Sequence, residues 1–90
     1  MKLVLVGQTR CIPCTVMKNQ ILDRIEELEA LGASFEYIDL NSLDNKETFI
    51  HKHKLTATPT TWVEVDGFIT EGYSGYVSVE DLFQLVEECK

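Results

Sequence analysis

Basic residues are scarce in this 90-residue chain. Eight Lys and Arg stand against 15 Asp and Glu, which gives a formal net charge of −7. A surface that binds nucleic acid neutralises phosphates with clustered Lys and Arg, so this balance argues against nucleic acid as a partner. The one basic cluster, His-Lys-His-Lys at residues 51–54, is too short to reverse the sign.

Long apolar runs are also missing. The N-terminal run Leu3–Val6 has four residues, whereas a membrane-spanning helix needs about 20 and a secretory signal needs a longer apolar core. We therefore expect no membrane partner and a cytoplasmic location. The length and the ordinary apolar fraction of 44% predict a single domain over residues 1–90, which we expect to be monomeric.

Cysteine and proline are rare, and three of their five copies lie in one motif. The chain has three cysteines and two prolines, and Cys11-Ile12-Pro13-Cys14 follows the apolar run directly before a long amphipathic stretch. The unpaired N–H groups of a helix N-terminus stabilise negative charge, so a thiol there ionises readily to the reactive thiolate. Residues i and i+3 share a helix face, which lets the two sulfurs meet. The pair is typical of thiol–disulfide chemistry.

Hydrophobic periodicity predicts an α/β chain with the element order β-α-β-α-β-β-α. Strands are expected at 3–6, 35–40, 60–65 and 68–71, and helices at 12–31, 46–54 and after Ser78 through Cys89. Asp66-Gly67 between alternating runs is a strong hairpin signal, and Ser78 is a suitable helix cap. Strands joined through helices pair in parallel, so we predict a four-stranded mixed sheet flanked by helices.

The whole chain resembles the thioredoxin/glutaredoxin superfamily, and most closely the small glutaredoxin-like thioredoxins. The resemblance rests on the Cys-x-x-Cys motif after the first strand and on Thr58-Pro59 before the hairpin. It implies the thioredoxin fold and a cis peptide bond at Pro59, since cis bonds are almost confined to X-Pro. In that family this proline lies against the cysteine pair.

Features of both branches of the superfamily are present. The length and the position of the motif resemble glutaredoxin, whereas Pro13 directly before the second cysteine resembles thioredoxin, as do the positions of Gly67 and Gly75. The residues with which glutaredoxins hold glutathione are not recognisable in residues 72–76. Arg10 stands where thioredoxins usually carry Trp.

The resemblance implies roles for the motif residues. Cys11 attacks a client disulfide, and Cys14 then attacks the mixed disulfide and releases reduced client. Pro13 is tolerated in the first helical turn, and Arg10 is expected to lower the pKa of Cys11 further. Thioredoxin's buried acid has no counterpart in the apolar strand 3–6, so the proton acceptor of Cys14 stays open between water and a substrate thiolate.

Further residues are expected to bind the client. Thr58 and Pro59 form the wall that faces the sulfurs, where an extended client segment can pair with the backbone of Thr58. We expect Ile12, Gly75 and Tyr76 to supply an apolar rim against which a partner docks.

The predicted function is that of a small protein-disulfide reductase, an electron donor that binds no cofactor and works through the redox-active disulfide. Its clients are disulfide-bearing proteins, ribonucleotide reductase among them by analogy with small family members. Its reductant is a thioredoxin reductase or, alternatively, glutathione, as for a glutaredoxin. The alternative from another class is a thioredoxin-fold module that only binds proteins.

Simpler interpretations are favoured for the remaining residues. A zinc site normally needs four ligands, so we expect no metal. His51 and His53 are interpreted as a solvated helix end, and Cys89 as an incidental small apolar residue. Trp62 and Phe68 are expected to pack within the hairpin.

Overall fold

The computed structural model describes residues 1–90 and contains every predicted element. The strands are β1 (Lys2–Gly7), β2 (Ser34–Asp39), β3 (Thr60–Val65), β4 (Phe68–Ile69) and β5 (Tyr73–Ser74). The helices are α1 (Ile12–Asp23), α2 (Ile25–Ala30), α3 (Lys46–His53) and α4 (Val79–Glu88), with a short 3-10 turn at Leu40–Ser42. Long apolar helices are absent, and none of these could cross a membrane.

The sheet is mixed, as predicted, but it has five strands rather than four. Its order is β2-β1-β3-β4, with β1 parallel to β2 and antiparallel to β3. The additional strand β5 pairs with β3 through Ser74 opposite Thr60 and Tyr73 opposite Thr61. We expected a loop there because a two-residue strand is too short to show an alternating pattern.

The β3–β4 hairpin confirms the turn prediction. Asp66 and Gly67 have φ angles of 50° and 84°, and two successive positive φ values are what a type I′ hairpin turn requires. The second strand is shorter than expected, although Thr70 still exchanges hydrogen bonds with the backbone of Val63.

The predicted helix over residues 12–31 is broken at Arg24, where φ is −120° and ψ is 27°. The Arg24 guanidinium donates to Glu27, with Nη2 2.6 Å from Oε2, and lies 5.3 Å from the centre of the Phe83 ring. Neither Gly nor Pro marks the break. Because one of these contacts comes from α4, far along the chain, the break was not visible in the local pattern.

Alternate side chains of β1 enter two apolar clusters on opposite faces of the sheet, since successive residues of a strand point to opposite sides. The large cluster comprises Leu3, Leu5, Met17, Ile21, Leu28, Ala33, Val63, Val79, Leu82, Phe83 and Val86. The small cluster comprises Val4, Val6, Leu40 and Trp62. The helices α1, α2 and α4 thus cover one face, and α3 with the 3-10 turn covers the other.

An aromatic stack closes the small cluster and corrects the interpretation of His53. The His53 ring stacks on Trp62 with centroids 4.8 Å apart, and Phe49 lies 4.5 Å from His53. Burial, followed by the charge of Lys52, lowers the pKa of His53. His51 alone is exposed, because residues two apart on a helix face different ways.

The two hairpin aromatics differ in their surroundings. Trp62 is 3% exposed, which confirms its packing role, whereas Phe68 is 79% exposed and packs in neither cluster. The expectation for Phe68 was wrong because it lies on the short outer strand β4, where neither cluster reaches it. The cap on α4 is confirmed, since the Ser78 hydroxyl accepts a hydrogen bond from the Asp81 N–H at 3.2 Å.

Candidate active site

Four chain segments meet at one end of the sheet. Gly7, the last residue of β1, pairs in parallel with Asp39, the last residue of β2. Thr60 starts β3 opposite Val6 and also pairs with Ser74, the last residue of β5. The segments that follow β1, β2 and β5 and the segment that precedes β3 therefore lie together.

The cysteine pair lies at this end, at the start of α1. Cys11 and Cys14 form a disulfide, with Cα atoms 5.2 Å apart. Cys11 is the N-cap of α1, and its sulfur accepts a hydrogen bond from the Cys14 N–H at 3.2 Å. Cys11 is partly exposed, whereas Cys14 is fully buried. The pair is therefore asymmetric, with one sulfur that a partner can reach and one that it cannot.

The turn before Cys11 is tied to the segment after β2. The Asn41 side chain accepts a hydrogen bond from the Thr9 N–H at 2.7 Å, and the Asn41 N–H donates to the Asp39 carboxylate at 2.9 Å. Arg10 is exposed and has φ of 66°, which turns the chain sharply into the helix. Asn41 carries no local signal of this contact, because only the parallel register of β1 and β2 brings it beside this loop.

The bond between Thr58 and Pro59 is cis, as the resemblance implies. Pro59 is buried, and its carbonyl accepts a hydrogen bond from the Gly75 N–H at 2.8 Å. Thr58 stays half-buried next to it. The structure thus brings together three of the residues predicted to bind the client.

The two predicted rim side chains face solvent on different elements. Ile12 at the start of α1 is 77% exposed, and Tyr76 after β5 is 53% exposed. The Tyr76 hydroxyl donates to the Gln20 side chain of α1 at 3.1 Å, which links the segment after β5 to that helix. Gly75 has φ of 89°, a conformation that other residues rarely adopt. Exposed apolar side chains of this kind are available for contact with a partner.

A tyrosine that the sequence analysis did not single out also lies at the pair. A Cβ atom added to buried Gly7 would lie 2.9 Å from the Tyr37 Cζ and 3.0 Å from the Cys14 Cβ, and closer still to the Tyr37 hydroxyl. Lys18 of α1 places its Nζ 4.6 Å from the Tyr37 ring centre. Strand alternation alone predicts which face Tyr37 occupies, and only the pairing register shows that its hydroxyl end lies at Gly7, beside Cys14.

Metal-ligating residues are not clustered here. No group of three or more His, Cys, Asp and Glu side chains is placed to hold a metal ion. The third cysteine, Cys89, is half-buried against the large cluster. The chemistry that this arrangement supports is the opening and closing of one disulfide.

A sequence profile for the thioredoxin-like domain matches residues 1–90. No curated protein sequence matches the chain. The profile therefore covers the cysteine pair, the cis-proline and every element of the sheet.

Solved thioredoxin structures have the same fold. Thioredoxin 1 from Thermosipho africanus superposes with a TM-score of 0.76 at 17% identity, over 99% of this chain and 93% of its own. Thioredoxin from Fasciola hepatica gives a TM-score of 0.80 at 21% identity, over 99% and 80%. A structure of ferredoxin:thioredoxin reductase in complex with thioredoxin f2 gives a TM-score of 0.72 at 18% identity, over 98% and 76%.

Proposed function

Since the chain belongs to the thioredoxin-like family, we propose that it reduces the disulfides of client proteins as a dithiol electron donor. The observation that carries this proposal is the bond between partly exposed Cys11 and buried Cys14 at a helix N-terminus. A pair that only stabilised the fold would have no need of an exposed sulfur at the position where a thiolate is best stabilised.

The first step begins from the reduced pair. The Cys11 thiolate accepts a hydrogen bond from the Cys14 N–H, the contact already present in the oxidised protein at 3.2 Å. It attacks one sulfur of the client disulfide, the client S–S bond breaks, and the other client sulfur leaves as a thiolate. Cys11 and the client are now joined by a mixed disulfide.

The second step closes the protein's own disulfide. Cys14 loses its proton and its sulfur attacks Cys11, so the bond between Cys11 and the client breaks and the second client sulfur leaves as a thiolate. Two electrons have passed from the dithiol to the client, and the protons of the dithiol go to the client sulfurs or to water. The separation of 5.2 Å between the cysteine Cα atoms suits bond formation without backbone movement.

The client segment is proposed to lie along Thr58 and Pro59. Pro59 has no N–H and so offers no competing donor to the sulfurs, while Thr58 is half-buried and partly open to an extended segment. Ile12, Gly75 and Tyr76 are proposed as the docking rim, and exposed Arg10 as a positive charge that favours the Cys11 thiolate. These roles remain predictions.

The reductant is proposed to be a thioredoxin reductase, and the compartment to be the cytoplasm, where thiols are kept reduced. The similarity to a structure in which thioredoxin f2 is bound to a reductase supports this kind of partner. Ribonucleotide reductase remains a proposed client by analogy alone.

Substitution of each cysteine by serine tests the roles. We expect Cys11→Ser to abolish the reduction of insulin disulfides, because it removes the attacking thiolate. Cys14→Ser should accumulate a mixed disulfide between Cys11 and the client, detectable as a shifted band on a non-reducing gel and identified by mass spectrometry. Cys89→Ser is the matched control and should reduce insulin at the parent rate. Equal turnover by Cys14→Ser and the parent would show that the role of Cys14 is wrong.

A comparison of reductants separates thioredoxin-like from glutaredoxin-like activity. We expect NADPH with a flavin-dependent thioredoxin reductase to sustain turnover, and glutathione with glutathione reductase to do so poorly. A reduction potential of about −270 mV would agree with a reductant, and one of about −120 mV with an oxidant. Rapid turnover with glutathione alone would instead favour the glutaredoxin alternative. The binding module would be favoured if the parent reduced no insulin and a Cys11→Ser/Cys14→Ser variant still bound the client fully.

A further inference from the structure

The second step of the proposed function requires a thiolate at a buried position. Cys14 is 0% exposed, and burial disfavours the charged form of a thiol unless a hydrogen bond compensates it. The helix N-terminus directs its N–H donor at the Cys11 sulfur, and the Cys14 sulfur has no such donor in the oxidised protein. A donor for Cys14 must therefore come from another part of the structure.

The Tyr37 hydroxyl is a donor that lies at Gly7, beside Cys14. Gly7 lies between the two residues, and a single point at its missing Cβ is within 3.0 Å of both the Tyr37 Cζ and the Cys14 Cβ. The hydroxyl is closer still to that point, so a side chain on residue 7 would displace it. Glycine at this position lets the end of the tyrosine approach the buried cysteine.

The protonation state of Tyr37 suits a donor. Burial, followed by the negative charge of Asp39, raises the pKa of Tyr37 above its usual value of 10.0, so the hydroxyl keeps its proton near neutral pH. The charged groups around it are Asp39 on β2 and Lys18 on α1, whose Nζ lies 4.6 Å from the ring centre. A protonated phenol cannot accept a proton from Cys14, but it can donate a hydrogen bond to the sulfur.

We propose that Tyr37 donates a hydrogen bond to the Cys14 sulfur when the disulfide opens, and so stabilises the thiolate that resolves the mixed disulfide. The inference rests on the proposed function for its role in turnover. The same bond acts in the reverse direction, because Cys14 leaves as a thiolate when a reductant attacks Cys11. No proton is transferred to Tyr37, and the proton of Cys14 still goes to water or to a client thiolate.

The pKa of Cys14 tests the hydrogen bond directly. In a Cys11→Ser/Cys89→Ser background Cys14 is the only thiol, and its ionisation is followed by NMR of the Cβ resonance of labelled cysteine. Because it removes a hydrogen bond to a charged group, Tyr37→Phe should reduce the thiolate fraction about tenfold, a rise of about one pKa unit. In the three-cysteine protein, Tyr37→Phe should slow release of the client from the mixed disulfide by a similar factor at neutral pH.

Tyr73→Phe is the matched control. It removes a hydroxyl from β5, which β1 and β3 separate from β2 in the sheet, and it should leave the Cys14 pKa unchanged. Gly7→Ala is a second route, since the added methyl displaces the Tyr37 hydroxyl and should raise the Cys14 pKa in the same direction. Thermal unfolding of each variant shows whether it is folded. If Tyr37→Phe does not fold, Gly7→Ala provides the test in its place.

The outcomes separate this inference from the proposed function. An equal Cys14 pKa in Tyr37→Phe and Tyr73→Phe overturns the inference, even if the parent reduces insulin. A raised pKa in Tyr37→Phe supports it, even if the parent reduces no client and the proposed function fails. A shift that disappears at high salt would assign the effect to the charge of Lys18 instead, and this too overturns the inference, because a hydrogen bond at a buried sulfur is screened little.

Discussion

The two faces of the sheet differ in depth. The large cluster joins one face to α1, α2 and α4 through eleven buried side chains, whereas the small cluster on the α3 face has four. Leu3 and Leu5 of β1 enter the first and Val4 and Val6 the second. One strand therefore contributes to two cores of unequal size.

The difference separates two tasks. The deep face positions the helix that begins at the cysteine pair, since Met17 and Ile21 of α1 belong to the large cluster. The shallow face is closed by the stack of His53 on Trp62, and Asn41 of its 3-10 turn holds the loop before the pair through the Thr9 N–H. Substitutions on the two faces should therefore differ in cost, and those on the shallow face that keep Asn41 in place should leave the chemistry unchanged.

The largest effect is expected from Leu28→Ala in the large cluster. Leu28 is fully buried, and truncation leaves a cavity that rigid neighbours fill poorly, so we expect a loss of about 4 kcal/mol in the free energy of unfolding. Urea denaturation of the oxidised protein measures it. A loss below that of the next variant would contradict the ranking of the two faces.

Leu40→Ala is the matched substitution on the α3 face. Leu40 is 4% exposed in a cluster of four, where α3 can relax toward the gap, so the expected loss is about 2 kcal/mol. The same denaturation measurement applies. Insulin reduction per folded molecule should equal that of the parent, and a clear fall would show that the shallow face also supports the pair.

A smaller, pH-dependent effect is expected at His53. Burial lowers its folded pKa below 6.5, so the folded state disfavours the charged form. The stability it contributes is present above pH 6.5 and is lost as the pH falls through the lower folded pKa. Lys52 acts in the same direction as burial, and Glu64 opposes it.

Unfolding measured between pH 7.5 and 5 tests this, since His53→Phe keeps a ring in the stack but removes the titration. On acidification the variant should lose less free energy of unfolding than the parent. The difference between the two should be smaller than the loss expected from either leucine truncation. His51→Gln, at an exposed site of the same helix, should show the same change in stability with pH as the parent. Identical behaviour of His53→Phe and the parent would count against a half-buried His53 that disfavours its charged form.

The smallest effect is expected at Phe68, which belongs to neither face. Its side chain is 79% exposed, so Phe68→Ser should change the free energy of unfolding by no more than about 0.5 kcal/mol. Thermal or urea unfolding is sufficient to measure it. A loss of several kcal/mol would reveal a contact that extends one of the two clusters to the hairpin.

Local signals in the sequence were sufficient for much of the fold. The Asp66-Gly67 turn, the Ser78 cap and the strand–helix junction at Cys11 are each set by neighbouring residues, and each was predicted. The family resemblance added the cis bond before Pro59 and the thioredoxin fold.

Features that depend on distant residues were missed. The break at Arg24 involves Phe83 of α4, the burial of His53 involves Trp62 of β3, and β5 exists through its pairing with β3. The approach of Tyr37 to Cys14 likewise requires the parallel register of β1 and β2. Periodicity within one element cannot show any of these contacts.

The convergence of four segments at one end of the sheet limits what can be moved to another protein. A designer who copies Cys-Ile-Pro-Cys onto the start of an unrelated helix transfers two thiols and one proline. The tie from Asn41 to the turn and the bond between Pro59 and Gly75 come from separate parts of the chain and stay behind. A useful graft must therefore carry the sheet as well as the tetrapeptide.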